Sequence, residues 1–126
     1  MKKTILLVED DPFLADIYKT KLEKSDFQVI LVTDGEKALM TMEESKPNLL
    51  LLDIVLPTID GWEILRKIKK NNSLKDIPVI IISNLGQKGE VEKGLAAGAT
   101  KYLIKAHYTP SEVVKEIKEV LTSKNG

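Results

Sequence analysis

The chain contains no cysteine, which excludes disulfides, thiolate-bound zinc and thiol nucleophiles. Neither sign of charge prevails: 19 basic residues balance 19 acidic ones. No global field therefore favours nucleic acid or anionic lipid, and the lysines, interleaved with acids, read as solvated helix faces. Long hydrophobic runs are also missing. After Met1-Lys2-Lys3-Thr4, only Ile5–Val8 is apolar before Glu9, too short for a signal-peptide core or a membrane span. The expected location is the cytoplasm, without membrane attachment. Asn71-Asn72-Ser73 fits a glycosylation acceptor, but without a secretion signal it reads as a polar loop. Nucleotide motifs fail as well. Gly89 to Gly94 has Walker-like spacing, yet Leu95 follows where lysine is needed, and no GxGxxG occurs. No repeat, low-complexity stretch or linker divides the 126 residues. They are enough for a core without staples, so one domain over 1–126 is expected, with a polar frayed tail at about 122–126.

What the chain does have is a series of short apolar runs ending on polar side chains. Ile5-Leu6-Leu7-Val8 stops at Glu9-Asp10-Asp11, and Leu49-Leu50-Leu51-Leu52 stops at Asp53. Val79-Ile80-Ile81-Ile82 stops at Ser83, and Tyr102-Leu103-Ile104 stops at Lys105. Continuous apolar runs, rather than alternation, are what a parallel strand buried on both faces requires. The reading places strands at Thr4–Glu9, Gln28–Val32, Leu49–Asp53, Val79–Ser83 and Thr100–Ile104. Between them come helical periods. Leu14, Ile17, Tyr18 and Leu22 follow Asp11 as N-cap and Pro12 at the first helical position. Ala38, Leu39 and Met42 follow Asp34 as a cap, and Pro47 blocks continuation. Trp62, Ile64, Leu65 and Ile68 follow Asp60-Gly61, in a helix ending near Asn71-Asn72. Val91 and Leu95 mark a fourth helix, poor in apolar residues, that ends at Gly98. Thr109-Pro110-Ser111-Glu112 is a capping box leading into Val113, Ile117, Val120 and Leu121. Five strands alternating with five helices define an α/β protein with a parallel sheet covered on both faces.

Right-handed crossovers put every strand C-terminus on one edge, where ligands of open α/β sheets bind. Glu9, Asp10, Asp53, Ser83 and Lys105 then share that edge. A lone strand-end aspartate is ordinarily a cap or turn former, and Asp11 before Pro12 is read that way. Lysine or serine alone would be a surface or loop residue. Together they carry one chemistry. Gathered carboxylates repel unless a cation joins them, and hard oxygen donors without His or Cys suit a magnesium ion (Mg2+). A carboxylate beside such an ion can attack phosphorus, while an ammonium and a hydroxyl hold phosphoryl oxygens.

These segments resemble the receiver domains of two-component response regulators, the family of the chemotaxis protein CheY, over essentially the full length. The resemblance rests on Ile5–Asp11, Leu51–Pro57, Asp60-Gly61, Ile77-Pro78-Val79, Gly98-Ala99 and Tyr102–Lys105, and on the spacings between them. It implies a flavodoxin-like (βα)5 fold with strand order 2-1-3-4-5. It also implies that Asp53 accepts phosphate from a phosphohistidine on a sensor histidine kinase or phosphotransfer protein. By the same resemblance, Asp10, Asp53 and the Val55 carbonyl ligate magnesium, and Glu9 acts through metal-bound water. Ser83 and Lys105 hold the phosphoryl group. Ser83 and Tyr102 are the switch residues that remodel the surface of the fourth helix, fifth strand and fifth helix for a downstream protein target. The protein would be a signalling module, monomeric or dimerising on phosphorylation, that catalyses only its own phosphorylation and dephosphorylation.

The chain departs from that pattern at four positions. Ala106 follows Lys105 where the family usually has proline in a cis bond. A trans Lys105–Ala106 bond is expected, since a non-proline cis bond costs about 3 kcal/mol, and with it a less rigidly placed amine. Asn84 replaces a small residue, and His107 reads as a surface loop residue. Val55 is apolar where fast-hydrolysing members carry a polar group, so a long-lived aspartyl phosphate is expected. A haloacid-dehalogenase-type phosphatase would need an acid at Val55, and a flavodoxin would need a phosphate loop where Glu9-Asp10-Asp11 stands. The remaining alternative is a pseudo-receiver that binds partners without phosphorylation.

Overall fold

The computed structural model describes residues 2–123. Its order is β1 (Thr4–Val8), α1 (Pro12–Lys24), β2 (Gln28–Val32), α2 (Gly35–Ser45), β3 (Leu49–Leu52), α3 (Gly61–Lys69), β4 (Val79–Ser83), α4 (Lys88–Ala96), β5 (Lys101–Ile104) and α5 (Pro110–Thr122), with a 3-10 turn at Lys105–His107. All five strands pair in parallel, in the order β2-β1-β3-β4-β5. The register aligns Ile5 with Leu49 and Val8 with Leu52, so β1 and β3 end level with each other.

Successive side chains on a strand point to opposite faces, which is why the runs are apolar throughout. Leu6, Val8, Leu50, Leu52, Val79 and Ile81 pack on one face against Ala38, Met42, Ile64 and Ile68 of α2 and α3. Ile5, Leu7, Leu49, Leu51, Ile80 and Ile82 pack on the other against Tyr18, Leu22, Val113 and Ile117 of α1 and α5. The predicted caps form. Asp11 Oδ1 accepts from Phe13 N at 2.9 Å and Asp34 Oδ1 from Lys37 N at 2.9 Å; Asp60, expected only to open its helix, also caps it, its Oδ1 accepting from Glu63 N at 3.0 Å. The Thr109/Glu112 capping box is closed in both directions. Lys46 takes the left-handed conformation that ends α2 just before Pro47.

Several boundaries differ from the sequence reading. β1 and β3 stop one residue early, at Val8 and Leu52, and β5 starts at Lys101 rather than Thr100. The ladder nonetheless runs one bond further, from Glu9 N to Val32 O (3.1 Å) and from Asp53 N to Val8 O (3.0 Å). The acids are thus held by the sheet's own hydrogen bonds while lying just past its strands. Leu95, expected to face inward, is 47% exposed; Gly94 is the α4 residue that meets the sheet. Leu39 and Trp62 are only half-buried, at the margin of the core. Thr122, expected in the frayed tail, closes α5 and donates its hydroxyl to Lys118 O at 2.9 Å, while residues 124–126 lie outside the described range. Asn71-Asn72-Ser73 is a polar turn in which Asn71 Oδ1 accepts from Ser73 N at 2.8 Å. Among the described residues no helix is long and apolar enough to cross a membrane.

Candidate functional site

Because β1 and β3 end level, Glu9 and Asp53 emerge side by side at the carboxyl edge of the sheet. Glu9 is fully buried, Asp53 nearly so, and Asp10 is exposed at the rim. One carboxylate oxygen from each of the three lies within 4.8 Å of the others. Lys105 reaches them from the end of β5, with its Nζ 2.8 Å from Asp53 Oδ2 and 2.8 Å from Glu9 Oε1. The contact to Asp53 is a directed hydrogen bond. The contact to Glu9 is one of charge only, because Oε1 is shielded from water and accepts no well-aligned hydrogen bond. Glu9 Oε2 accepts from Asp11 N at 3.1 Å. Asp53 Oδ1 accepts from Ile54 N at 2.7 Å and lies 3.4 Å from Val55 N. Gly61 at the start of α3 packs on this turn so closely that a Cβ there would stand 2.6 Å from Asp53 O.

Protonation follows from the burial. Loss of solvent pushes the Glu9 carboxyl above its ordinary range, more than Lys105 and the Asp11 amide pull it back. Burial acts on Lys105 in the opposite sense, but the hydrogen bond to Asp53 and the negative charge of Glu9 beside it outweigh it and hold the ammonium above its usual value. The arrangement concentrates carboxylate oxygen, leaves one buried oxygen without a directed partner, and offers no softer ligand. That donor set fits a hard divalent cation.

A model of the response regulator receiver domain family matches residues 5–118. The chain belongs to this family. Among its relatives is the alkaline phosphatase synthesis transcriptional regulatory protein PhoP of Bacillus subtilis, 32% identical over 121 residues that make up 96% of this chain and 49% of PhoP. The receiver thus spans about half the length of the curated relatives it matches. Similar solved structures include the BeF3-activated N-terminal receiver domain of RstA from Klebsiella pneumoniae, at 28% identity and TM-score 0.87, covering 95% of this chain and 99% of that one. Another is the Mn(2+)-bound form of response regulator Rcp1, at 31% identity and TM-score 0.84, covering 97% and 96%.

In this receiver, Ser83 ends β4 fully buried, and its Oγ accepts from Leu85 N at 3.1 Å. The Tyr102 hydroxyl donates to Leu85 O at 2.6 Å, with the ring turned inward and burial raising its phenol above the ordinary value. Leu85 therefore joins the two predicted switch residues through its own backbone. Sequence reasoning missed it because any residue supplies an N–H and a C=O. The Lys105–Ala106 bond is trans, as expected. With that trans bond, the Lys105 side chain lies between the two carboxylates at 10% exposure, following the 3-10 turn. Asn84 and His107 are exposed. The Val55 side chain is 62% exposed on the loop after Asp53. Thr58 was also missed. It sits at φ +66° on the same loop, and its Oγ1 accepts from Glu36 N at 3.2 Å, tying α2 to the site loop.

Proposed function

We propose that this receiver takes a phosphoryl group on Asp53 from the phosphohistidine of a sensor kinase or phosphotransfer protein, and that the modification switches the α4–β5–α5 surface for a downstream protein target. The observation that carries the reading is the Lys105 ammonium 2.8 Å from Asp53 Oδ2 at the mouth of a buried carboxylate cluster. An Asp53 carboxylate oxygen attacks phosphorus, and the P–N bond breaks with its electron pair leaving on the imidazole. Lys105 shifts its hydrogen bond from carboxylate to phosphoryl oxygen, and the Ser83 hydroxyl donates to a second one.

Asp10, Asp53 and the Val55 carbonyl are the residues to hold magnesium, with Glu9 behind them. The ion supplies neutralising charge to the phosphoryl oxygens. When Ser83 turns toward phosphate it gives up the Leu85 amide, and the Tyr102 ring repacks into the space behind it. The receiver acts only on its own phosphoryl group, which it takes from the donor and in time gives up to water as inorganic phosphate. Its setting is the cytoplasm, its working form a monomer or a phosphorylation-dependent dimer, and its partners proteins rather than nucleic acid.

The test is incubation with acetyl phosphate and magnesium, followed by intact mass over time. Wild type is expected to gain one phosphoryl adduct and Asp53→Asn none; an adduct on the variant would rule the assignment out. Val55 offers no polar group to orient water, so the adduct is expected to outlast the scale of seconds.

A further inference from the structure

The loop that leads from Asp53 to α3 has few side chains of its own to hold it. Ile54 is buried, but Val55, Pro57 and Thr58 are exposed, and Leu56 and Ile59 are half-buried. Its backbone is held instead by the start of α2. Gly35 N donates to Pro57 O at 3.2 Å, and Glu36 N donates to Thr58 Oγ1 at 3.2 Å. The first amides of a helix have no partner within it; here two of them are satisfied by a loop 22 residues further along the chain. Gly35 also lies flat against that loop. A Cβ built there would stand 1.9 Å from Ile59 O, 2.7 Å from Ile59 C and 2.9 Å from Ile59 Cβ, whereas non-bonded carbons pack at about 3.5–4.0 Å. The two nearest of these atoms are backbone, so no change of rotamer relieves the collision. Gly35 has no positive φ, so the glycine is there for space. At the other end of the loop, the Ile54 and Val55 amides face Asp53 Oδ1 at 2.7 and 3.4 Å, which leaves Oδ2 to Lys105.

We propose that Gly35 and Thr58 are positioning residues of the phosphorylation site: the start of α2 braces the loop whose amides aim the Asp53 carboxylate. This deepens the proposed function and rests on Asp53 as the nucleophile. A side chain at 35 pushes Ile59 away from α2, and the Ile54 and Val55 amides move with the loop. Asp53 Oδ1 then loses the partners that fix the rotation of the carboxylate. The Val55 carbonyl, read as a magnesium ligand, is displaced with them.

The experiment compares Gly35→Ala and Thr58→Gly with Gly89→Ala as the control. Gly89 also lies in the first turn of its helix, but a Cβ there meets nothing within 4 Å. Thr58→Gly tolerates the left-handed backbone and removes the hydroxyl bond. Hydrogen exchange in chelator is the first readout, with the β1 amides as internal reference. Relative to β1, the Ile54 and Val55 amides are expected to exchange faster in Gly35→Ala and Thr58→Gly and unchanged in Gly89→Ala. An equal change at β1 and at the loop is a loss of global stability and overturns the proposal. The second readout is adduct formation with acetyl phosphate and magnesium, by intact mass, where every variant is folded. Gly35→Ala is expected to be slower by about tenfold or more, since misplacement by an ångström costs up to about a hundredfold. Gly89→Ala is expected to react at the wild-type rate, and the same rate in Gly35→Ala also overturns the proposal. If Gly35→Ala does not fold, Thr58→Gly decides by exchange: wild-type protection at Ile54 and Val55 refutes the brace. Should wild type take no phosphoryl group, the Asp53 reading fails, and exchange in chelator still decides whether α2 holds the loop.

Discussion

At the scale of single residues, Glu9 and Thr58 both hold conformations or charges that folding disfavours. Burial pushes the Glu9 carboxyl up despite Lys105, so the folded chain binds that proton more tightly than the unfolded one. Below the ordinary value of 4.5 both states keep the proton and no penalty exists. As pH rises, the unfolded chain releases it first and stability is lost. Glu9→Gln, measured in chelator, is therefore expected to raise the urea midpoint at neutral pH and to lose that gain on acidification toward about pH 4; a gain independent of pH would contradict this. Thr58 is a β-branched residue in the left-handed region, at φ +66°, where a Cβ costs roughly 1–2 kcal/mol. Glycine and alanine there both forfeit the hydroxyl bond to Glu36 N, so comparing them isolates the backbone. Thr58→Gly is expected to be more stable than Thr58→Ala by about 1 kcal/mol, the reverse of the order at an ordinary position. Equal urea midpoints would show that the loop relaxes.

Among the elements, α5 depends on its first turn. Thr109 Oγ1 accepts from Glu112 N at 3.1 Å, and Glu112 Oε1 accepts from Thr109 N at 2.8 Å. Thr109→Ala is expected to cost about 1 kcal/mol in chemical unfolding, and a loss within error would mean that water replaces the cap freely. The Thr109 amide, and then its hydroxyl, hold the Glu112 carboxyl below its usual range. The box thus contributes fully above that range and is lost as pH falls below it, through the lowered value of the folded chain. Caps of this kind were readable in the chain because their chemistry is local: Asp11, Asp34 and Thr109 each bind amides two or three residues ahead. Helix α4 was not readable in the same way. Its spacing offered Leu95 as a core residue, but the helix is turned so that Gly94 meets Tyr102. A glycine chosen for what lies across from it leaves no periodic signal.

For the molecule as a whole, the parallel sheet brings Glu9, Asp10 and Asp53 together, and their mutual repulsion is relieved only in part by Lys105. An ion bound by the folded state alone should raise stability with the logarithm of its concentration, by about 2.7 kcal/mol at a hundredfold excess over Kd. Magnesium is therefore expected to raise the urea midpoint of wild type and not that of Asp10→Ala; parallel rises would place the ion elsewhere. The amino-acid order by itself determined the strands, their two-sided burial, the caps and the polar residue at each tip, because these depend on side-chain chemistry and on periods of two and 3.6 residues. Tertiary structure alone decided that Lys105 touches both Glu9 and Asp53, that Ser83 and Tyr102 meet on the backbone of Leu85, and that Gly94 receives the ring. Those relations span up to 96 residues, from Glu9 to Lys105, and run partly through backbone atoms common to every residue, so only the packed sheet and the tilt of its helices could set them.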